Sequence, residues 1–235
     1  MSKIKNVIKR ETHKYLYDTH VHASHASACA VNTGAEMVRA YANKGYSGLI
    51  MTDHFFNGNT SIRDDLGWED RVNRFLKGYE DALAEGNKLG FSVFLGWEYA
   101  DEGMEFLTYG LGKDFLLKHP DMLTWNIEKY LDIARTSGGF ISQAHPFREA
   151  SYIDRIRLFP DYVDAVEVIN SSHEDPNFDR KALRYAKENS LIMTSGSDSH
   201  RIDDQMTGGM AFEYKLDTIH DFIGATRSGN YSLLG

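Results

Sequence analysis

Five apolar runs along this chain each end in histidine, aspartate or glutamate, and no other feature constrains the fold as strongly. They are YDTHVH (17–22), SGLIMTDH (47–54), FSVFLGWE (91–98), FISQAH (140–145) and LIMTSGSDSH (191–200). Runs of this length, rich in β-branched and aromatic residues, read as strands. Helical periodicity fills the intervals, and such alternation argues an α/β fold rather than separate α and β domains. In a parallel barrel the strand ends converge on one mouth, where active sites are built. Any one of these histidines alone is most simply a satisfied, half-buried side chain. The joint pattern is different, because core packing gives no reason for polar residues to gather at strand exits.

The helices follow from spacing and capping. In TGAEMVRAYANKGY (33–46), Met37, Val38 and Tyr41 fall on one stripe, Thr33 suits the cap and Gly45 the end. A single long helix is predicted over 68–90, closed by Gly90, and further helices over 124–139, 176–190 and 216–229. Pro176 suits a first helical position, where its missing N–H costs nothing. Additional strands are expected at 105–112, 162–170 and 208–214. No repeat, linker or low-complexity tract interrupts the pattern, so residues 1–235 are expected to form one barrel-like domain.

With 42% hydrophobic and 12% aromatic residues the chain can bury a substantial core. Its formal charge of −8 disfavours nonspecific binding to long nucleic acid or to an anionic membrane. An acidic substrate stays open, because metal ions can supply a positive field locally. Cys29 is the sole cysteine, which rules out an intrachain disulfide and suits a reducing setting. The basic start lacks the apolar run of a secretory signal, and no window approaches the roughly 18 apolar residues of a membrane span. A cytoplasmic protein is the expectation.

Side chains two apart on a strand share a face, so Asp18, His20 and His22 are expected to point together, as are Asp198 and His200. Imidazole and carboxylate gathered at one mouth are ligands for Zn, Mn or Fe.

At this point the residues resemble the polymerase and histidinol phosphatase (PHP) family. The matching motifs are DTHVH, TDH, GWE, AHP and GSDSH, in the family's order and spanning residues 18 to 200. The resemblance implies a distorted (β/α)7, TIM-like barrel holding two to three divalent ions and hydrolysing phosphoesters. Carried over by position, it implies that His20, His22, Glu98 and Asp198 hold one ion. Glu98 would bridge to a second, shared with His145, and His54 and His200 would hold a third. Two slots depart from the commonest pattern. Glu105 stands where the family often has histidine, and His25 is the substitute for the early-loop ligand.

Hydrolysis of a phosphate ester needs a nucleophilic oxygen and positive charge at the transferring group, and water bridging two ions meets both needs. Glu98 suits the bridge because each carboxylate oxygen can take one ion. His145 or His200 could protonate the leaving group. Asp18 and Asp53 are expected behind the ligands, accepting an N–H to fix a tautomer. Arg148 and Arg201 follow ligand motifs and could grip phosphate bidentately, and Asn170 closes a strand at the same mouth. Residues 55–68 read as a loop over the mouth. His13, His119, His173 and His220 lie away from the strand ends, and Trp68, Trp97 and Trp125 suit the core or a pocket wall.

The leading expectation is a phosphoesterase acting on a small phosphorylated metabolite or nucleotide, with short oligonucleotides within reach. Two alternatives stand beside it: a C–N hydrolase of the amidohydrolase type that keeps the metals, and a non-catalytic metal-binding or regulatory module whose altered slots, Glu105 and His25, have lost a metal.

Overall fold

The computed structural model describes residues 15–235, so His13 and the basic start lie outside the described residues. The first strand, β1 (Tyr15–Val21), leads to helix α1 (Gly34–Asn43) and strand β2 (Gly48–Met51). Thr33 caps α1 as the sequence predicts, and Glu36 reaches back to its N–H across 2.8 Å, completing a capping box. The buried stripe of α1 is Met37, Val38 and Tyr41.

The long helix expected next is divided at Leu76 into α2 (Trp68–Phe75) and α3 (Lys77–Leu89). Its two parts serve different layers. Val72, Phe75 and Leu76 join an aromatic cluster with Phe55 and Trp97, whereas Ala82 packs with Met37 and Val38 of α1. Helices α1 and α3 approach so closely that a Cβ on Gly34 would stand 2.2 Å from the Gly78 carbonyl oxygen.

Strands β3 (Ser92–Asp101) and β4 (Met104–Tyr109) form an antiparallel hairpin. After α4 (Lys113–Lys118) come α5 (Ile127–Thr136), β5 (Phe140–Ala144), β6 (Ala165–Asn170), α6 (Pro176–Glu188) and β7 (Ile192–Gly196). Pro176 takes the first turn of α6 beside the Asp175 cap. The chain then forms β8 (Gly209–Phe212), α7 (Ile219–Ser228) and β9 (Ser232–Leu234). Neither α4 nor β9 is legible in the sequence, since six and three residues give no readable period.

All the strands among the described residues lie in one sheet, ordered β7-β6-β5-β4-β3-β2-β1-β8-β9. Past its end, β7 turns back onto β1. Asp198 donates its N–H to the His20 carbonyl (2.9 Å), and His22 donates to Ser199 (3.0 Å). Those bonds bring the sheet close to a closed, distorted TIM-like barrel and place both polar strand ends side by side. Tyr17, Ile50, Phe94, Leu107 and Tyr109 belong to one buried cluster, topped by the polar strand ends. No helix among the described residues is long and apolar enough to cross a membrane.

Two irregularities decide what reaches the mouth. Strand β4 runs against its parallel neighbours, so its start, not its end, lies there. Glu105 is paired with Ala144, the residue before His145. Strand β1 carries a register shift between Asp18 and Val21. Both residues pair with β2 positions, Leu49 and Met51, that pack in the α1 layer. The shift therefore separates Asp18 from His20 and His22, which corrects the expectation that all three share a face.

Candidate metal centre

Glu98 sits at the middle of the mouth, 1% exposed, at a bridge between β3 and His54. One carboxylate oxygen, Oε1, lies 3.2 Å from Nε2 of both His20 and His145. The other, Oε2, lies 2.8 Å from His54 Nδ1 and 3.6 Å from His22 Nε2. Asp198 Oδ1 closes the far side, 3.4 Å from His20 Nε2 and 3.2 Å from His22 Nε2. Glu105 Oε2 is 3.5 Å from His145, and its Oε1 is 3.6 Å from His54.

These residues form four overlapping trios with donor atoms mutually within 4.8 Å: His20–His22–Asp198, His20–Glu98–His145, His54–Glu98–Glu105 and His22–His54–His200. Eight of the nine sequence-predicted ligands meet here. The ninth, His25, does not. A tight turn, in which Ser27 N–H bonds to Ala23 O (3.1 Å), carries His25 toward α3, where its Cβ faces Gly78.

Three of the imidazoles are anchored through Nδ1, which turns Nε2 inward. His20 Nδ1 lies 2.9 Å from Glu167 Oε1, and a carboxylate can only accept, so Nδ1 donates and Nε2 faces the cluster. For His22 the logic runs through Ser27. That hydroxyl donates to Asp53 Oδ1 (2.7 Å), so it must accept from His22 Nδ1 (3.1 Å) and from the His54 N–H (3.0 Å). His200 Nδ1 donates to the Asp198 carbonyl across 2.9 Å.

The buried donors are ready for cations. His20 Nε2, His22 Nε2, His54 Nδ1 and Glu98 Oε2 are all buried with no well-formed hydrogen bond, only the close ion-pair approaches given above. Leaving a buried polar atom unsatisfied costs about 1–3 kcal/mol each, so four converging on one point need compensation. Divalent ions fit: the donors are imidazole nitrogen and carboxylate oxygen, the set that Zn, Mn and Fe accept.

Electrostatics agree. Burial opposes charge on His20, but Asp198, Glu167 and Glu98 outweigh it and hold the imidazole well above its usual range. His54 is likewise pushed up to about 11, burial being overcome by Glu98. Burial, with His200 and His54 beside it, holds His22 well below the usual value. Burial also works against charge on Asp198, yet His20 and Arg148 keep it well below the carboxylate range. Burial and the charge of Glu98 push Glu105 the other way, upward.

Two of these residues are strained. His145 has φ 25° and Asp198 φ 57°, the left-handed region that side chains avoid, at a cost of about 1–3 kcal/mol each. Backbone bonds hold both: His145 N–H to Glu167 Oε2 (3.0 Å) and Asp198 N–H to His20 O.

Behind the ligands the structure departs from the sequence reading. Asp53 accepts no imidazole N–H; it takes the Ser27 hydroxyl (2.7 Å) and the Ala23 N–H (2.7 Å), and reaches His22 only through Ser27. Asp18 does not touch an imidazole. It accepts the backbone N–H groups of His20 (3.1 Å) and Ser197 (3.0 Å) and the Tyr41 hydroxyl (2.8 Å), tying β1 to β7 and α1. Asn170, expected at substrate, is buried and donates to Glu167 (2.9 Å) and Asp198 (3.4 Å). Glu167 itself escaped the sequence reading. Its signal was a lone charge inside AVEVI, an otherwise apolar strand.

The two arginines separate. Arg148 donates to Asp198 Oδ2 (2.6 Å) and Ser172 (2.8 Å) and lines a cavity of about 660 Å³ beside the cluster. Glu105, His145, His54 and His200 share that cavity with Tyr152 and with Asn57, Gly58 and Asn59. The last three belong to the 55–68 loop, which thus borders the mouth, anchored by buried Phe55 and Phe56. Arg201 turns away. Asp204 Oδ2 accepts the N–H groups of both His200 (2.7 Å) and Arg201 (2.8 Å), fixing a turn that sends the Arg201 side chain out to Asp203.

Cys29, exposed, lines the same cavity as His200 and His54. Burial alone would raise its thiol, but the nearby His200 and His54 bring it down to about 6. His173 borders a neighbouring cavity, His119 packs against Phe115 and Trp125, and His220 is exposed on α7. Trp97 is fully buried, and Trp68 and Trp125 pack against the same core.

No family model matches the chain, and no curated protein does. Solved structures do. A two-domain protein from Bacteroides vulgatus, containing a predicted PHP-like metal-dependent phosphoesterase, matches with a TM-score of 0.72 at 15% identity. The match covers 93% of this chain and 64% of that one, so this chain spans less than two thirds of its length. A candidate metal-dependent phosphoesterase from Bifidobacterium adolescentis matches at TM-score 0.55 and 15% identity, over 78% of this chain and 87% of that one. An amidohydrolase from Chromobacterium violaceum, with bound sulfate and no metal, matches at TM-score 0.59 and 15% identity, over 89% and 96%. The chain therefore has the fold of the PHP-like proteins. The motifs that resemble the PHP family lie at the mouth of that fold.

Proposed function

We propose that this protein is a PHP-type, metal-dependent phosphoesterase acting on a small phosphorylated substrate. The observation that carries the reading is the convergence of seven imidazole and carboxylate side chains around Glu98, beside a cavity that Arg148 lines. His20, His22, Glu98 and Asp198 would hold one ion, Glu98, Glu105 and His145 a second, and His54 with His200 a third. Two or three divalent ions there would activate water near neutral pH and oppose the negative charge that builds on a transferring phosphoryl group.

The chain's own residues position the rest. Arg148 presents a cation to an anionic group, while its bond to Asp198 couples that grip to a ligand. Tyr152 and the 57–59 segment wall the cavity, whose size suits a metabolite, a nucleotide or the end of a short oligonucleotide. His145 and His200, expected also as proton donors, each turn a ring nitrogen into the cluster, so both serve here as ligands. The test is phosphate release from a panel of phosphorylated metabolites, nucleotides and short oligonucleotides, with protein reconstituted separately with Zn, Mn and Fe. Turnover abolished by chelation and by Glu98→Gln supports the proposal; chelator-insensitive turnover defeats it.

The amidohydrolase neighbour favours one second reading, attack on a C–N bond at the same centre. Lactams and amides in the same panel separate the two, since only phosphoesters release orthophosphate.

A further inference from the structure

Arg148 lines the cavity beside the cluster and also the neighbouring one, and no other Lys or Arg among the described residues lines either. Its bonds decide which of its N–H groups a ligand can use. Nη2 donates to two acceptors, Asp198 Oδ2 (2.6 Å) and Ser172 Oγ (2.8 Å). Nε donates to His173 Nε2 across 3.3 Å. Both edges of a guanidinium that make two parallel bonds include Nη2. The bidentate grip expected from the sequence is therefore closed, and Nη1, with two N–H groups, is the end these bonds leave for an anion.

His173 is fixed in turn. Its Nδ1 lies 2.7 Å from Asp179 Oδ1, in the first turn of α6, and its backbone N–H bonds to Asn170 O (3.1 Å). Phe178 packs edge-on against the ring, 5.3 Å between centroids, and the side chain is only 5% exposed. A carboxylate only accepts and an arginine only donates, so Nδ1 carries the proton and Nε2 the lone pair. One tautomer satisfies both neighbours. A histidine that merely closed the 171–175 loop would need the bond to Asp179, but not an acceptor aimed at the cation of the cavity.

We propose that His173 is a positioning residue for substrate binding: backed by Asp179, it sets Arg148 so that Nη1 meets the anionic group of the substrate. The loop after β6 and the start of α6 thereby govern affinity for phosphate without touching it. This inference rests on the proposed phosphoesterase reading and adds to it a residue that no strand-end motif contains.

Two probes test it on metal-loaded protein: inorganic phosphate, bound in a calorimeter, and para-nitrophenyl phosphate as substrate. His173→Ala should raise the Kd of phosphate and the KM about threefold to tenfold, the range for losing one long hydrogen bond. The effect on kcat should be smaller, and bound metal per chain should stay at the wild-type count. His173→Gln, whose amide oxygen can accept in place of Nε2, should recover most of the loss. In an Arg148→Ala background His173→Ala should add nothing, because it acts only through that guanidinium. Wild-type Kd and KM in His173→Ala, an equal loss in the Arg148→Ala background, or a fall in bound metal overturns the role of His173 and leaves the phosphoesterase reading standing. Wild-type protein that neither binds phosphate nor shows metal-dependent turnover overturns both.

Discussion

His20 Nδ1 and Glu167 Oε1 are 2.9 Å apart, joined by a hydrogen bond that spans 147 residues of chain. Both side chains are buried, and Glu167 Oε2 also takes the backbone N–H of His145 and the amide of Asn170. One carboxylate thus orients two neighbouring ligand positions without reaching the ions. Glu167→Ala is expected to weaken metal binding by about 10- to 100-fold, the usual effect of losing such a partner. Competition against a chromogenic chelator measures it. Wild-type affinity in this variant would show that the bond is incidental.

Gly196 tests the same pairing from the backbone side. A Cβ there would stand 2.4 Å from His20 Cβ and 2.7 Å from Glu167 Oε1, so Gly196→Ala must displace one or both. We expect loss of at least one bound ion per chain by elemental analysis, although no ligand has changed. A full metal complement would mean that the His20–Glu167 geometry is more tolerant than the contacts imply.

Ser27 accepts from His22 and the His54 N–H while donating to Asp53. Ser27→Ala removes all three bonds and leaves buried groups unpaired. Unfolding in urea, on metal-free protein, should show a loss of about 1–3 kcal/mol. A smaller change, with unaltered metal affinity, would contradict the relay.

Metal loading should release protons. In the metal-free protein Asp198, Glu167 and Glu98 outweigh burial and hold His20 well above its usual range, so it is protonated at pH 7. Ligation needs its Nε2 lone pair, so the ion must displace that proton, and affinity rises with pH. Calorimetry in two buffers of different ionisation heat, between pH 6 and 8, gives the proton count. Binding that is independent of pH would count against His20 as a ligand.

Arg148 and Arg201 give a paired test. Arg148→Ala removes a cavity cation and a bond to Asp198, and should cut kcat/KM by about tenfold or more, the loss of one charged hydrogen bond. Arg201→Ala, whose guanidinium faces Asp203 at the surface, should stay within experimental scatter of wild type. Equal losses from both would mean that the 200–204 turn closes over substrate.

What the sequence disclosed follows from where chemistry restricts residue choice. His20, His22, His54, Glu98, His145, Asp198 and His200 end apolar runs, and the barrel brings run ends together. Glu105 was found through the family slot, and the antiparallel course of β4 explains how a residue at a strand start reaches the mouth. Other features depend on local geometry that spacing does not encode. A register shift in β1 turned Asp18 toward α1, and one turn exchanged His25 for Cys29 at the cavity. Glu167 carries no motif, because a single buried carboxylate in a strand declares itself only by its partners. Arg201 follows a ligand motif as Arg148 does, and only the turn fixed by Asp204 shows that its side chain leaves the mouth.

Glu98 is proposed to lie at the heart of a cluster of divalent ions. Anomalous diffraction from crystals grown with zinc or manganese, alongside elemental analysis of the same protein, tests it most directly. Two or three peaks within a few ångströms of Glu98, at least one shared by both its oxygens, are the expected result. A filled metal complement located away from Glu98, or a mouth that binds no ion at saturating metal, would contradict it.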